Sequence, residues 1–356
     1  MPPRSPTSRD VARLAAVSRT TVSYVLNNNN STIAISPATR QRVLDAARQL
    51  GYHPNAAARS LRRQMAGVVG LVTYDPAERV GGNAFLPLVM DGILSVLGPT
   101  GIKLIVDAAT PGQPDPCVTL VRGGHVDGLI VTGAQSNNEE LRLLYDDGVP
   151  IVMWGKVSGN ALPFVDIDNV AAARTATEHL ISLGHTRIAC ITNASPAIDM
   201  AAADRLAGYR SALESHRITA DPRLIRHANF SESSGFDAMR ELLTLEERPT
   251  AAFVASDEVA IGAVKAAKVH GVNVPALLAV VGFDDLPYAP FVDPSLTTIR
   301  VPARDIGSEA ARRVIAALGN GRRPPPVEER DGLPRDASAV LETELVIRES
   351  SGPFLG

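Results

Sequence analysis

The stretch from Arg19 to Tyr24 offers side chains whose chemistry suits recognition of a nucleic acid. Read as a helix, its polar face carries Arg19, Thr20, Ser23 and Tyr24. Guanidinium, hydroxyl and phenol groups hydrogen-bond to base edges and phosphates, so such a face is able to enter a major groove. The alternative is an ordinary helical hairpin whose polar face is only solvated.

Two short helices joined by a tight turn are predicted to present this face. Ser18 follows the turn at Ala16 and is a suitable N-cap for the second helix. A third helix is predicted from Pro37, with Ser36 as its cap and Gly51 as its stop. The apolar faces carry Val11, Ala12 and Ala15 on the first helix, Val22, Val25 and Leu26 on the second, and Val43, Ala47 and Leu50 on the third.

Charge separates the chain into two unlike parts. Residues 1–64 contain ten arginines, no lysine and two aspartates, a net charge of +8. The whole chain carries −3, so the remainder carries −11. A basic module on an acidic body is typical of a nucleic-acid binder whose body does not itself bind nucleic acid. A basic face that is merely solvated is the alternative.

A short segment, residues 53–63, joins the basic module to the body and is rich in alanine and arginine. Its one large apolar side chain is Leu61. The segment has too little apolar surface to be stable alone as a helix. It is either a linker with one exposed leucine or a hinge that folds on DNA and inserts Leu61 between base steps in the minor groove.

From about residue 66 onward, short apolar runs alternate with amphipathic helices, as in parallel sheets covered by helices on both faces. The predicted strands are residues 68–73, 103–108, 128–131, 151–153, 165–168, 187–191, 251–255 and 278–282. The predicted helices include residues 86–97, 170–183, 235–245, 258–270 and 305–318. Eight strands are too many for one sheet of this kind, and a break near residues 158–163 predicts two subdomains.

Polar and aromatic residues gather where these strands end, which is where open parallel sheets bind ligands. An aromatic pair with an aspartate and an arginine suits a small polar ligand, because rings cover apolar faces while charged groups fix hydroxyls or a carboxylate. Asp257 is ambiguous, since it follows Ser256 and opens a helix, where aspartate often serves as a cap. The candidates are Phe85, Thr132, Arg205, Phe230, Asp257 and Asp284.

Several protein classes are disfavoured. No apolar run of about 18 residues could span a membrane, and the N-terminus has no apolar segment of a secretory signal. Cys117 and Cys190 have no metal-ligand spacing and are expected to be buried thiols. No phosphate loop, dinucleotide fingerprint, zinc-protease motif or nucleophile elbow is present. His185 is the one candidate general base, but packing or capping is the expected role. No catalysis, metal or cofactor is predicted.

The first 63 residues resemble the DNA-binding headpiece and hinge of the LacI/GalR family of transcriptional regulators, through DVARLAAVSRTTVSYVLN and SPATRQRVLDAARQLGYHPNAAARSL. The resemblance implies a homodimer that places one recognition helix in each half-site of a near-palindromic double-stranded operator. It also implies residue roles: base contacts by Arg19, Thr20 and Tyr24, phosphate contacts by Thr21, Ser23 and Asn27, and a minor-groove hinge at Asn55, Ala58 and Leu61.

Two residues of the headpiece depart from the family pattern. Tyr24 stands where the family usually has arginine, so the operator is expected to differ from the common one. Ala16 replaces the usual turn glycine, a strain that is tolerable if φ stays negative.

Residues 65 to 348 resemble the family's effector-binding core, which is similar to periplasmic sugar-binding proteins, through NAFLPLVMDGI, HVDGLIV, VDIDN and VVGFDDLPYAPFVDPSLTTIRVP. The resemblance implies two doubly wound parallel-sheet subdomains joined by three crossovers. It implies effector contacts at Phe85, Arg205, Phe230 and Asp284, with Thr132 and Asp257 as further contacts. Departures from the sugar-binding and purine-binding patterns, at Gly155, Asp199 and Ala201, leave the ligand class open.

The expected organisation is an all-α helix-turn-helix domain (residues 1–53), a hinge helix (54–64), an α/β core (65–348) and a tail (349–356). One core subdomain is expected at about 65–161 and 290–325, and the other at about 162–289 and 326–348. The tail has no apolar heptad, so a helical tetramer is not expected beyond the dimer.

The sequence therefore predicts a cytoplasmic DNA-binding regulator, a repressor, whose operator affinity is controlled by a small effector bound between the core subdomains. The effector is expected to be a sugar or a related metabolite, and both an inducer and a corepressor fit. A solute-binding protein of the periplasmic type would need an export signal and would not need a basic head. An architectural DNA-binding protein without an effector would leave the core indifferent to small molecules.

Overall fold

In the computed structural model, which describes residues 6–26, 35–52, 65–74, 84–134, 138–157, 162–193, 200–319 and 338–354, the chain divides into two units, Met1–Ala66 and Gly67–Gly356. Each unit has a hydrophobic core of its own. Among the described residues, no helix is both long enough and apolar enough to cross a membrane.

The first unit is built from the three predicted helices: α1 (Ser8–Leu14), α2 (Arg19–Leu26) and α3 (Pro37–Leu50). Ser36 caps α3 by accepting a hydrogen bond from the Thr39 backbone N–H at 3.2 Å, and Gly51 ends it with φ +62°. Val11, Val22 and Val43 are almost fully buried, so one residue from each helix meets in a shared core. The predicted three-helix module is confirmed.

The turn between α1 and α2 does not meet the condition under which alanine would be tolerated at position 16. The φ of Ala16 is +52°, in the left-handed region, and not negative. The Val17 N–H donates to the Ala12 carbonyl and the Ala16 N–H to the Arg13 carbonyl, a helix-ending pattern that requires this conformation. An L-residue with a Cβ pays about 1–2 kcal/mol for it, so the turn is strained where glycine would not be.

The second unit alternates strands and helices along the chain. Its strands are β1 (Val68–Thr73), β2 (Lys103–Ala108), β3 (Gly128–Thr132), β4 (Ile151–Trp154), β5 (Phe164–Ile167), β6 (Ile188–Asn193), β7 (Ile225–Ala228), β8 (Ala251–Val254), β9 (Ala279–Asp284), β10 (Thr297–Arg300), β11 (Ala339–Leu341) and β12 (Glu344–Val346). Its helices are α4 (Phe85–Thr100), α5 (Pro116–Arg122), α6 (Glu139–Asp146), α7 (Asn169–Ser182), α8 (Met200–Ser215), α9 (Glu232–Leu243), α10 (Asp257–Val269) and α11 (Ala303–Leu318).

These strands form two six-stranded sheets. The first sheet has the order β11-β5-β4-β3-β1-β2 and the second β12-β10-β9-β8-β6-β7. Every pairing is parallel except that of β10 with β12. Helices pack in pairs, α4 with α11 and α5 with α6 beside the first sheet, and α7 with α8 and α9 with α10 beside the second. The predicted fold class is confirmed.

The chain crosses between the sheets three times, after β5, after β10 and between β11 and β12. These positions correct the expected subdomain limits. The break near residues 158–163 lies between β4 and β5, which are neighbours in the first sheet, so the first crossover comes after Ile167 instead. Likewise β10 belongs to the second sheet and β11 to the first, in each case the opposite of the expected assignment. Strands of three or four residues give too weak a pattern to show sheet membership.

Close approach of the paired helices depends on glycine. A Cβ on Gly307 of α11 would overlap the Val89 carbonyl of α4, and one on Gly92 of α4 would overlap the Arg304 carbonyl of α11. The two backbones therefore touch where neither residue has a side chain. A Cβ at Gly262 of α10 would overlap the Glu232 carbonyl of α9 in the same way.

The segment expected to be a tail is part of the second sheet's structure as far as Phe354. Ser350 is fully buried: its hydroxyl donates to the Val280 carbonyl at 2.7 Å and accepts from the Thr297 N–H at 2.8 Å. The Phe354 N–H donates to the Leu183 carbonyl at 2.9 Å. The burial of this segment was not predicted, because its buried residue Ser350 is polar and the prediction used only the spacing of apolar residues.

Candidate functional site

The polar face of α2 is fixed by the cap that precedes the helix. The Thr21 backbone N–H donates to the Ser18 hydroxyl at 3.0 Å, which confirms the predicted N-cap. Val22 and Val25 are buried on the opposite side. Arg19 and Thr20 are exposed at the first turn, so α2 presents a guanidinium and a hydroxyl to solvent.

The remaining predicted DNA contacts fall into two groups. Thr21, Ser23 and Tyr24 are partly buried along α2, and the Thr21 hydroxyl also bonds to that of Ser18 at 2.9 Å. The other residues, Asn27, Asn55, Ala58 and Leu61, lie outside the described residues, as does the predicted hinge at 54–64.

Acidic residues of the first unit lie on the other two helices. Asp10 pairs with Arg13 on α1 at 2.7 Å, and Asp45 pairs with Arg48 on α3 at 2.9 Å. The α2 sequence, RTTVSYVL, contains no acid. The charge on α2 is therefore the positive charge of Arg19 alone, which suits contact with an anionic duplex.

In the second unit, an aromatic pair lies at the carboxyl edge of the first sheet. Phe85 begins α4, Trp154 ends β4, and their rings stack with centroids 5.8 Å apart and planes 22° apart. Thr132 ends β3 and is in register with Trp154. The first sheet thus brings two predicted effector contacts, Phe85 and Thr132, to one edge together with Trp154.

Arg205 of α8 lies at the carboxyl edge of the second sheet. Its Nε donates to the Asn169 amide oxygen at 2.9 Å, and its Nη1 donates to the Ala255 carbonyl at 2.6 Å. The guanidinium carbon lies 3.8 Å from the centre of the Phe283 ring, a cation–π contact. Two donors and one face of the guanidinium are therefore committed to the protein before any ligand binds.

Asp284 ends β9 beside Arg205 and has a strained backbone. Its φ is +116° and that of the next residue, Asp285, is +56°. Burial raises the pKa of Asp284 well above its usual range, the Arg205 charge lowers it, and Asp257 and Glu258 raise it further. Strain of this kind persists only where the surroundings fix the backbone, and it is concentrated at functional sites.

A clamp of arginines holds Asp285. Arg348 Nη2 bonds to one carboxylate oxygen at 2.6 Å and Arg300 Nε to the other at 2.7 Å. Only 9% of the Asp285 side chain is exposed. Because Asp285 follows Asp284 directly, the clamp also fixes the backbone that carries the Asp284 carboxylate.

Asp257 does not lie on the surface of this edge. It is fully buried, with one carboxylate oxygen accepting from the Thr298 hydroxyl at 2.6 Å and the other from the Leu286 N–H at 2.8 Å. Burial raises the pKa of Asp257 to about 7. Ser256, whose hydroxyl accepts from the Val259 N–H at 3.4 Å, is the cap of α10. These contacts replace the expected effector contact at Asp257 with a role in holding the loop after β9.

A chain of hydrogen bonds through Asp166 and Asn169 connects the two sheet edges. Asp166 of β5 accepts from the Lys156 N–H at 2.7 Å and from the Asn169 amide at 3.2 Å. Asn169 begins α7 beside the second sheet and accepts in turn from Arg205. Burial raises the pKa of Asp166, and its backbone N–H donors lower it. Asn169 was missed as a site residue, although the motif VDIDN contains it, because its partner Arg205 is 36 residues away in the chain.

Phe230 lies after the end of another strand of the second sheet. It follows β7, the strand at the far edge of the second sheet, and is partly buried with φ +63°. A concavity of about 440 Å³ lies elsewhere, on α9 and α10, lined by residues that include Phe236, Ile261 and Lys265. None of its lining residues is a predicted effector contact, although they include the ring of Phe236 and the carboxylates of Glu232 and Asp237.

His185 has a packing role. Its Nδ1 bonds to the Thr250 hydroxyl and its Nε2 to the Gly352 carbonyl, both at 3.0 Å, and 2% of the residue is exposed. Burial lowers its pKa. Cys117 and Cys190 are buried, free thiols, as predicted. Within the described ranges, no group of three or more His, Cys, Asp or Glu residues could hold a metal ion.

Comparison with known proteins supports both units. Residues 7–55 match the family "Bacterial regulatory proteins, lacI family", and residues 177–351 match "Periplasmic binding protein-like domain". The chain is 34% identical over 351 residues to the HTH-type transcriptional regulator CelR of Thermobifida fusca, covering 98% of each chain. It is 36% identical over 357 residues to the HTH-type transcriptional repressor CytR of Escherichia coli K12, covering 97% of this chain and 96% of that one.

Solved structures of regulators have the same fold. The lac repressor dimer bound to operator and the anti-inducer ONPF has a TM-score of 0.82 and 27% identity, covering 98% of this chain and all of that one. A complex of CelR with cellobiose has a TM-score of 0.70 and 32% identity, covering 97% of this chain and all of that one.

Proposed function

Since the chain belongs to the LacI family of bacterial regulatory proteins, we propose that it is a transcriptional repressor that binds a specific operator and responds to a small effector. The exposed Arg19 and Thr20 at the start of a capped, acid-free helix are the observation that carries the proposal. The related proteins are DNA-binding regulators and not enzymes. A cytoplasmic location follows, because that is where the bacterial chromosome lies.

The headpiece reads the operator through α2. We assign base contacts to Arg19, Thr20 and Tyr24, and phosphate contacts to Thr21, Ser23 and Asn27. Tyr24 offers a phenol in place of a guanidinium, so the bidentate pairing with guanine that arginine makes is absent at that position. The hinge residues Asn55, Ala58 and Leu61 are assigned to the minor groove, where an inserted leucine kinks the duplex.

The effector binds between the two sheet edges, against Phe85, Thr132, Arg205, Phe230 and Asp284. The stacked ring of Phe85 and the carboxylate of Asp284 suit a ligand with an apolar face and hydroxyl groups. Two Arg205 donors are already satisfied by Asn169 and Ala255, which favours a neutral polyhydroxyl ligand such as a sugar over an anion. CelR has been solved with cellobiose, which supports a sugar as the class to test first.

The functional unit is a homodimer that places two headpieces on a near-palindromic operator. The edge strand β2 and helix α4 expose apolar side chains, with Leu94 at 47%, Ile105 at 37% and Val106 at 40%. An edge strand that carries exposed apolar residues is a surface that a partner strand or helix covers. Effector binding then changes the angle between the two core subdomains and so the spacing of the paired hinges.

Selection of binding sites from a random duplex library with the full chain tests the DNA half of the proposal. A near-palindromic site should be enriched, and its affinity should exceed that of a scrambled duplex by about 1,000-fold or more. A thermal-shift screen with cellobiose, ribose, nucleosides and small acids tests the effector half. A ligand present at about 100 times its Kd should add about 2.7 kcal/mol of stability. Operator selectivity without any thermal shift would favour an architectural protein instead.

A further inference from the structure

One contact joins the two subdomains directly at the ends of two helices. Glu258 is the second residue of α10, beside the second sheet, and its Oε1 accepts from the Ala84 backbone N–H at 2.7 Å. Ala84 is the residue before α4, which packs beside the first sheet. The two residues are 174 positions apart in the chain, and Glu258 is only 5% exposed.

The contact places a carboxylate at the N-terminal end of α4. The N-cap position is Ala84, which has no side chain able to accept a backbone hydrogen bond. The first N–H groups of a helix have no partner within the helix and attract negative charge. A carboxylate from the other subdomain therefore acts as the cap of α4, through a charge-assisted hydrogen bond.

The charged neighbours of Glu258 do not explain why it is buried there. Burial raises the pKa of Glu258, the Ala84 N–H lowers it, and the carboxylate of Glu232 on α9 raises it. Burial also raises the pKa of Asp284 and of Tyr288, and the Glu258 charge adds to both. Acidic groups thus surround Glu258 on its own subdomain, and the favourable partner is the end of α4.

The residue after Ala84 is Phe85, whose ring stacks on Trp154. We call the stacked rings of Phe85 and Trp154 the aromatic wall. Movement of the α4 end away from Glu258 would therefore carry this wall away from Arg205 and Asp284. We propose that Glu258 is a positioning residue that latches the two subdomains together by capping α4, and so sets the open-to-closed balance of the cleft in the absence of effector. The functional meaning of this balance rests on the proposed effector site, whereas the latch itself does not.

Trp154 is the one tryptophan of the chain, so its fluorescence reports on this wall without a label. The full chain would be measured without added sugar, by acrylamide quenching of Trp154 and by the radius of gyration from small-angle scattering. Glu258→Ala should raise the ratio of open to closed molecules about tenfold, as loss of one charge-assisted hydrogen bond implies, with stronger quenching and a larger radius. Glu258→Gln keeps an acceptor oxygen without the charge and should lie between Glu258→Ala and the unmodified chain.

A double-mutant cycle isolates the contact from general loss of stability. Ala84→Pro removes the N–H donor at a position whose φ, −74°, suits proline. If the latch exists, Ala84→Pro combined with Glu258→Ala should give the same quenching and radius as either change alone. Glu246→Gln, an exposed acid on the same subdomain, is the matched control and should change neither value.

Quenching and radius equal to those of the unmodified chain in Glu258→Ala would overturn the latch, as would fully additive effects in the cycle. Cellobiose and ribose are then added in a separate arm. Opening by Glu258→Ala with no response to either sugar would support the latch while counting against a sugar effector, so the two proposals fail separately.

Discussion

The headpiece and the core use polar side chains in opposite ways. In the headpiece they bond over three or four residues, as Ser18 does with Thr21 and Ser36 with Thr39, and their outer faces remain exposed. In the core they bond across the fold: Arg205 reaches Asn169 over 36 residues and Asp257 reaches Thr298 over 41.

This difference distinguishes the exposed face of α2, which is proposed to bind DNA, from the hydrogen-bonded side chains of the core, which are proposed to respond to the effector. An exposed polar side chain on α2, such as that of Arg19, touches little of its own protein, so its loss should affect binding and leave stability unchanged. A side chain such as Arg205 connects α8 to α7 and to the end of β8, so its loss should affect every element that it joins. The exposed face of α2 depends only on the spacing of residues along one helix. The contacts of Arg205 depend on the packing of residues that are far apart in the chain.

The largest effect is expected where two core helices touch through glycine. Gly307→Ala forces a Cβ into the Val89 carbonyl and should destabilise the core by about 3 kcal/mol, because a packed interior cannot absorb the methyl group. Gly98→Ala on α4, where a Cβ meets nothing within 4 Å, is the control and should be neutral or slightly stabilising. Calorimetry should show the core transition lowered and the headpiece transition unchanged. A headpiece transition that fell with it would contradict the independence of the two units.

The next effect tests the core network. Arg205→Ala leaves the Asn169 amide oxygen and the Ala255 carbonyl without this donor and should cost about 2–3 kcal/mol of core stability. Arg210→Ala, an exposed position on the same helix, is the control. Denaturant unfolding of both variants gives the comparison. A loss for Arg205→Ala no greater than that for Arg210→Ala would show that the contacts do not stabilise the edge.

The third effect tests the headpiece surface. Arg19→Ala should weaken operator binding by about 1–3 kcal/mol and relax base preference at one position, with core stability unaltered. Arg13→Ala is the control, since Arg13 is also exposed but pairs with Asp10 on α1. Affinities measured on the selected operator and its single-base variants decide the outcome. Equal losses on every sequence would assign Arg19 to the phosphates.

The smallest effect concerns the turn that aims α2. Ala16→Gly removes the Cβ from a residue with φ +52° and should stabilise the headpiece by about 0.5–1 kcal/mol, after the greater entropy of the unfolded glycine chain is subtracted. Ala15→Gly, one residue earlier with φ −81° and a buried methyl group, should destabilise it instead. Thermal unfolding followed by circular dichroism distinguishes the two. Destabilisation by Ala16→Gly would show that the turn carries no strain.

The sequence predicted the elements whose patterns are local and long. The bounds of β1 and β2 agree with the predicted strands, and α2 and α3 begin directly after the predicted caps. β7, β10, β11 and β12 were missed, although β4, β5 and β8, which are as short, were predicted from their apolar runs. The last two crossovers depend on three of the missed strands, β10, β11 and β12. α5, α6 and α8 were not among the helices named from the sequence, and the small, mixed residues of α8 give no clear apolar face.

The sequence allowed the site residues to be predicted from their chemical type, but it did not show which residues they contact. Arg205 and Asp284 stand out as charged residues near strand ends, and the fold brings them close enough for the Arg205 charge to lower the pKa of Asp284. Asp257 has the same type and setting, yet burial and two internal hydrogen bonds give it another role. Glu258 was assigned only to a helix, because nothing in its neighbourhood of the sequence indicates a partner at Ala84.

The late position of two edge strands has a consequence for how the chain folds as it is made. β11 completes the first sheet and β12 the second, and both follow residue 338. The three headpiece helices end at Leu50, so the headpiece is able to fold while most of the chain is still unsynthesised. Neither sheet of the core has all its strands until the residues after 338 have left the ribosome. The DNA-reading part is therefore ready long before the part that governs it.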